Sequence, residues 1–228
     1  MSKLPDDIYT ETEDLDVDTL ANLGPLKALA GAWRGEKSLD VNPFFEGERR
    51  QIYIETIDAQ PIDRQSNGPQ YFYGLRYHAH IVKPGEVETY HDQVGYWLWE
   101  PTTGLILLSL TIPRGQIVLA KGFAAADATS FEVTATRGST ENGICSTAFL
   151  ERAFRTDSFH MKVSANADGT WSYFEDTVLT IPGRAEPFHH TDRNVLMRTG
   201  PAAPNPLAQE KVLIDARAKA RRFVAGGN

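Results

Sequence analysis

Length, composition and charge already exclude several classes of protein. The chain has 228 residues, of which 41% are hydrophobic, so it can bury one sizeable core. Its formal net charge is -7, and an acidic surface repels nucleic-acid backbones and anionic lipid. Cys145 is the single cysteine, which excludes an intrachain disulfide and a cysteine-rich metal site. We therefore expect no nucleic-acid partner and no membrane partner.

The N-terminal segment is polar and acidic. It reads MSKLPDDIYTETEDLD, which differs from the basic and then apolar pattern of a cleavable signal. No apolar run approaches the roughly 20 residues of a membrane-spanning helix. We therefore expect a cytoplasmic protein in which residues 1–19 form a disordered or loosely attached arm.

The predicted elements begin with a short helix and continue as strands. Residues 20–31 predict a helix with Leu26, Leu29 and Ala30 on one face and Gly31 as its stop. From Trp33 onward the period changes to that of a strand, with clear alternation over residues 52–57. Further strands are predicted at 71–82, 91–99, 105–112, 115–122, 130–136, 148–155, 158–165, 170–180 and 189–199. Polar loops are predicted at 58–70 and 137–147.

The connections between these strands have the residues of tight turns. Examples are Lys-Pro-Gly-Glu at 83–86 and Asn-Ala-Asp-Gly at 166–169. About ten strands in sequential hairpins predict an all-β antiparallel meander, which removes its edges by closing into an up-and-down β-barrel. We assign residues 20–199 to this ligand-binding barrel domain. Residues 200–228 are predicted to form a linker and a C-terminal helix that packs on the barrel or on a second subunit. A homodimer is therefore one of the alternatives.

Two adjacent histidines begin the last predicted strand. Neighbouring strand residues point to opposite faces, so one imidazole of His189 and His190 points into the barrel. If Val195 and Met197 face the core, His189 is inside; if Leu196 does, His190 is inside. An inward neutral imidazole can ligate a metal ion or a haem iron.

A second group of histidines suggests an alternative metal site. His78 and His80 lie two residues apart on one strand face, and His91 follows in the next strand. GLRYHAHIVKPGE and HTDRN resemble the two metal-binding motifs of cupins, which would imply a metal-dependent enzyme using these three histidines. The chain has no G-x-S-x-G elbow and no H-E-x-x-H motif, so no catalytic residue is assigned.

Three features of the sequence indicate a resemblance to one known family. A short helix leads into Gly31-Ala32-Trp33-Arg34-Gly35, close to the family's G-x-W-x-G-x-G opening, with Lys37 in place of its third glycine. A regular meander follows, including the hairpin SLTIPRGQIVLAKG. The last strand carries histidine and finishes L-x-R at Leu196-Met197-Arg198. Over roughly residues 23–199 the chain therefore resembles nitrobindins, which are haem-binding barrels similar in shape to fatty-acid-binding proteins and lipocalins.

The resemblance implies a cofactor and an activity. In that family a histidine of the last strand is the axial ligand of ferric haem b, which binds nitric oxide and isomerises peroxynitrite to nitrate. An ungapped match of the terminal L-x-R puts Thr191 at the axial position, and a one-residue bulge would bring His190 there instead. Strand alternation favours His189 and proximity to the family position favours His190; we favour His190.

The resemblance also suggests further cofactor-binding residues. We expect Trp33 to help sandwich the porphyrin and Arg193 or Arg198 to reach a propionate near the rim. A barrel of this kind without haem is expected to carry a fatty acid or another small apolar ligand. The row of Trp97 and Trp99 on one strand face suits the wall of such a cavity.

Overall fold

The structure, a computed structural model, describes residues 7–225, and the side chains as far as residue 218. Residues 1–6 of the expected arm and residues 226–228 lie outside the described residues. The helices are α1 (Thr19–Asn22), a 3-10 helix (Gly24–Leu29), α2 (Ala148–Ala153) and α3 (Pro206–Ala225). The strands are β1 (Gly31–Gly35), β2 (Leu39–Phe44), β3 (Gly47–Gln51), β4 (Ile54–Asn67), β5 (Gln70–Val82), β6 (Thr89–Glu100), β7 (Leu105–Ile112), β8 (Gln116–Phe123), β9 (Ser130–Thr136), β10 (Ile144–Ser146), β11 (Arg155–Ala165), β12 (Trp171–Thr180) and β13 (Phe188–Gly200).

Ten of these strands close into an antiparallel barrel. The order around it is β1, β4, β5, β6, β7, β8, β9, β11, β12, β13, and β1 pairs with both β4 and β13. Closure gives every wall strand a hydrogen-bonded neighbour on each side, at least over part of its length. The predicted all-β antiparallel barrel of about ten strands is confirmed. The hairpin of β2 and β3 attaches to β13, and β10 pairs with β8.

The N-terminal helical residues close one end of the barrel. Leu23, Leu26 and Leu29 are fully buried there. Trp33, only 1% exposed, lies beside them, and its indole Nε1 donates to the Leu29 carbonyl at 2.8 Å. The Trp33 ring meets that of Trp171 edge to face at 6.1 Å, an arrangement that aromatic pairs favour. The predicted burial of Trp33 at one end of the barrel is confirmed.

The other end of the barrel is open, and we call it the mouth. β1 and β13 run in opposite directions along the wall, so His190 lies near the mouth and Arg198 near the closed end. The rim includes Arg49 of β3 and Arg114 of the β7–β8 turn, together with Phe149 of α2. No helix among the described residues is long and apolar enough to cross a membrane.

Two local predictions were wrong, and two strands were missed. Residues 148–153, predicted as strand, form α2, because a short apolar run is ambiguous and Ala148-Phe149-Leu150-Glu151 is rich in good helix formers. The predicted loop at 58–70 is mostly strand, since β4 continues to Asn67. β1 stops pairing with β4 at Ala59, so the β4 edge beyond it tolerates Pro61. The strands β2 and β3 were not predicted.

Candidate functional site

A cavity of about 590 Å³ occupies the barrel between the closed end and the mouth. Ligand pockets span roughly 300–1,000 Å³, so a cofactor-sized molecule is in range. One side of the cavity is apolar, and we call it the apolar wall. It is formed by Leu108 and Leu110 of β7, Val118 of β8, and Phe159 and Met161 of β11. β7 lies five strands from β13 in either direction around the barrel, so Leu108 and Leu110 face β13.

The last strand presents its polar row to the cavity. Leu196 is fully buried, and the same inward phase contains His190 and Asp192. His189 points outward with 62% of its side chain exposed, and its Nδ1 lies 2.8 Å from Asp176 Oδ2. The structure therefore places the imidazole of His190 at the cavity and that of His189 on the outer surface.

His190 is held by carboxylates. Its Nε2 lies 2.9 Å from Asp40 Oδ1 and 3.4 Å from Asp192 Oδ2. Asp40 is 3% exposed, and its Oδ2 accepts hydrogen bonds from the Tyr90 hydroxyl and the Asn42 amide. Burial lowers the pKa of His190, but the Asp40 hydrogen bond and the nearby negative charges outweigh it, so the pKa is raised. Burial acts to raise the pKa of Asp40, but its hydrogen bonds with His190, Tyr90 and Asn42 outweigh this effect and lower the pKa.

A second buried carboxyl lies deeper on the same side. Glu55 of β4 is 3% exposed, and its Oε2 accepts from Tyr173 OH at 3.0 Å and Asn194 Nδ2 at 2.9 Å. The Tyr53 hydroxyl lies 2.8 Å from that of Tyr173 and extends this network. Burial raises the pKa of Glu55 to about 7, although both hydrogen bonds act to lower it.

Two more carboxyl groups complete this side of the cavity. Burial, reinforced by the charge of Glu55, raises the pKa of Glu175 to about 7. Burial also raises the pKa of Asp192, with the Glu175 charge adding to it and His190 opposing it. The four side chains Asp40, Glu55, Glu175 and Asp192 all line the cavity, and we call them the carboxylate wall.

A second imidazole also reaches the cavity. The pairing of β5 with β6 shifts register between Ile81 and Val82, and this irregularity turns both Tyr90 and His91 inward. Burial lowers the pKa of His91, whose Nε2 lies 3.3 Å from Gln93 Oε1. His91 is therefore the more readily neutral imidazole of the two at the cavity.

Comparison with known proteins decides the family. The model described as "THAP4-like, heme-binding beta-barrel domain" matches residues 22–198. This chain belongs to that family. The predicted membership of the nitrobindin family, to which this domain corresponds, is confirmed.

The comparison with solved structures shows a similarity of fold only. The crystal structure of Rv2717c from M. tuberculosis is similar with a TM-score of 0.54 and 19% sequence identity. The match covers 81% of this chain and 99% of that one. No curated protein matches the chain.

The residues at the cavity fit the haem that the family name implies. An imidazole lies beside an apolar-walled cavity of cofactor size, and among the described residues nothing hydrogen-bonds Nδ1 of His190. Metal-ligating imidazoles usually direct their other ring nitrogen to a carboxylate or carbonyl, which raises ligand basicity. Asp40 occupies that position at Nε2 of His190.

The other expected cofactor-binding residues lie elsewhere, which corrects the prediction. Trp33 lies beneath the cavity and stacks with the guanidinium of Arg198, 4.1 Å from its ring centre. Arg198 also donates to the backbone at the closed end. Arg193 is exposed on the outer face, because β13 alternates and His190 faces inward. Arg49 and Arg114 are the arginines that line the cavity.

The alternative metal site of three histidines is not formed. His78 and His80 lie on the outer face of β5, where their Nε2 atoms contact Asp92 at 2.8 Å and Thr89 at 3.0 Å. His91 faces the cavity on the other side of the sheet. The wall of the barrel therefore separates it from the other two, and a cupin-like site has no geometric support.

The sequence contains a signal for two members of the carboxylate wall. Glu55 has the same strand phase as the buried Ile57, and Glu175 has the same phase as the buried Tyr173. Asp40 gives no such signal, because the apolar residues Leu39 and Val41 alternate with it in β2. A polar residue in phase with buried neighbours indicates an inward polar side chain, which is uncommon unless it has a partner.

Proposed function

We propose that this chain binds ferric haem b in its cavity with His190 as the axial ligand, and that it acts on nitric oxide or peroxynitrite. The observation that carries the proposal is the inward imidazole of the last barrel strand, in a member of a heme-binding family. When bound, haem iron supplies the position at which nitric oxide binds and peroxynitrite rearranges to nitrate.

The residues of the chain divide the remaining tasks. Asp40, fixed by Tyr90 and Asn42, orients the His190 ring and raises its basicity as a ligand. Leu108 and Leu110 of the apolar wall face β13 across the barrel, so they would limit the access of water to a bound haem and would suit a small diatomic molecule.

The charge at the mouth suits the propionates of haem. Arg49 and Arg114 line the cavity at its rim. Propionates are anionic and pair well with guanidinium groups. We therefore propose that these two arginines, rather than Arg193 or Arg198, contact the propionates.

The adjacent histidines provide a matched test of the axial ligand. Haem titration of the parent should produce a Soret band with a defined stoichiometry. His190→Ala should weaken haem binding at least about tenfold, because an axial bond is lost. His189→Ala should bind as the parent does, since its side chain is on the outer surface.

Several outcomes would contradict the assignment. Unchanged haem affinity in both variants would refute His190 as the ligand, and a loss only in His189→Ala would assign the other histidine. A parent that takes up no haem refutes the proposal as a whole. Stopped-flow decay of peroxynitrite with nitrate analysis tests the activity separately, since haem-loaded protein that does not accelerate the decay would leave only binding.

A further inference from the structure

The carboxylate wall has more negative charge than its surroundings neutralise. His190 contacts Asp40 and Asp192, but no lysine or arginine among the described residues forms an ion pair with any of the four carboxyl groups. Buried carboxylates are costly unless they are paired or protonated. Protonation relieves part of this cost at neutral pH, and a bound cation would relieve it as well.

Glu55 has an oxygen that is free to bind a ligand. The residue is 3% exposed, and both of its hydrogen bonds end on Oε2. No described residue hydrogen-bonds its Oε1, although Glu55 lines the cavity. Because this oxygen lacks a protein partner and its side chain lines the cavity, it is available to an occupant that donates a hydrogen bond.

The shape of the cavity indicates what kind of occupant this is. The volume of about 590 Å³ is far larger than one ion requires, and apolar side chains line the cavity together with the carboxylates. Leu108 and Leu110 of β7 lie across the barrel from Asp192 of β13, and Met161 of β11 is the cross-strand neighbour of Glu175. Trp97 adds a flat apolar surface to the lining. A ligand with an apolar body and a donating, positively charged end matches the apolar wall and the carboxylate wall. The carboxylate of a fatty acid would be repelled from the carboxylate wall and, among the described residues, would have guanidinium partners only in Arg49 and Arg114 at the rim.

We propose that the cavity of the haem-free protein binds an organic cation, with its apolar body on the apolar wall and its ammonium or guanidinium group on the carboxylate wall. This inference goes beyond the proposed haem function and does not rest on it. It also separates this barrel from a carrier of fatty acids.

The test compares two ligands that differ only in the head group. Dodecylamine and laurate, both below their micelle-forming concentrations, are titrated into haem-free protein by calorimetry at pH 8. Glu55 and Glu175, with pKa values of about 7, are then ionised while the amine keeps its proton. Dodecylamine should bind at least about tenfold more tightly than laurate, because charge-assisted hydrogen bonds are the strong ones.

Two isosteric variants locate the binding group. Glu55→Gln and Glu175→Gln should each weaken dodecylamine binding about tenfold and should not weaken laurate binding. Glu132→Gln, which removes the same charge from the exposed outer face of β9, is the matched control and should change neither affinity. Thermal unfolding and circular dichroism of each variant verify that the barrel is folded.

The outcomes separate this inference from the previous proposal. Laurate binding as tightly as dodecylamine, or equal losses for both ligands in the variants, would overturn it. Zinc ion bound stoichiometrically without any amine binding would also overturn it, in favour of a metal at Asp40, His190 and Asp192, whose ligand atoms lie within 4.8 Å of one another. Haem uptake without amine binding contradicts only this inference, and amine binding without haem uptake contradicts only the haem proposal.

Discussion

Replacing Glu55 by glutamine should stabilise the protein in a pH-dependent way. The ordinary pKa of this carboxyl is 4.5, and burial raises it to about 7 in the folded chain. Below pH 4.5 the group is protonated in both the folded and the unfolded states, so it does not affect stability. Between 4.5 and about 7 only the unfolded chain loses the proton, so stability falls as pH rises. Above about pH 7 the carboxyl is ionised in both states, so the loss of stability no longer changes with pH.

The size of this penalty follows from the difference between the two pKa values. At about 1.4 kcal/mol per pH unit it amounts to roughly 3 kcal/mol. Glutamine keeps an oxygen that can accept from Tyr173 and Asn194 but cannot ionise. The free energy of unfolding of Glu55→Gln should therefore exceed that of the parent by roughly 3 kcal/mol at pH 8, and the difference should nearly vanish at pH 4.5.

Urea unfolding of parent and variant over this pH range measures the difference. The exposed Glu132→Gln variant is the control, and its stability should differ little from that of the parent at either pH. A Glu55→Gln effect that is equal at pH 5 and pH 8, or destabilisation at pH 8, would refute the reasoning, because burial would then not be what raises the pKa.

Three further predictions concern the barrel itself. Trp33→Ala should lower the free energy of unfolding by about 3–5 kcal/mol, since the ring is buried and bonded to Leu29; a loss under about 1 kcal/mol in urea titration contradicts this. Gly95→Ala should cost at least about 2 kcal/mol, because the new Cβ would lie 1.9 Å from the Ser109 carbonyl oxygen; parent-like thermal unfolding speaks against it. Cys145 is exposed, so a maleimide should label it as completely in native protein as in urea, and protection in the native state would be inconsistent with its position.

The sequence by itself determined the fold class and the family. Strand alternation and turn residues are local properties, because side chains of a strand point to alternate faces whatever the strand packs against. The helix stop before Trp33 and the terminal Leu196-Met197-Arg198 sufficed to indicate the nitrobindin family. These signals need only neighbouring residues, so they can be read without coordinates.

The sequence alone does not determine which face of the last strand points into the barrel. Val195, Leu196 and Met197 are all apolar, so the sequence supports either phase for the histidines. Barrel closure decides it, since Leu196 becomes fully buried while Met197 stays 51% exposed, and His190 follows Leu196 into the barrel.

The carboxylate wall likewise depends on the tertiary structure. Asp40 lies in a hairpin that was not predicted, and it meets His190 across 150 positions of the chain. Glu55 reaches Asn194 across 139 positions. A prediction from the local sequence assigns charged residues to the solvent-exposed face, because burial of a charge is costly. Only the closed barrel brings these carboxyl groups together around one cavity, where hydrogen bonds, protons or a ligand can offset that cost.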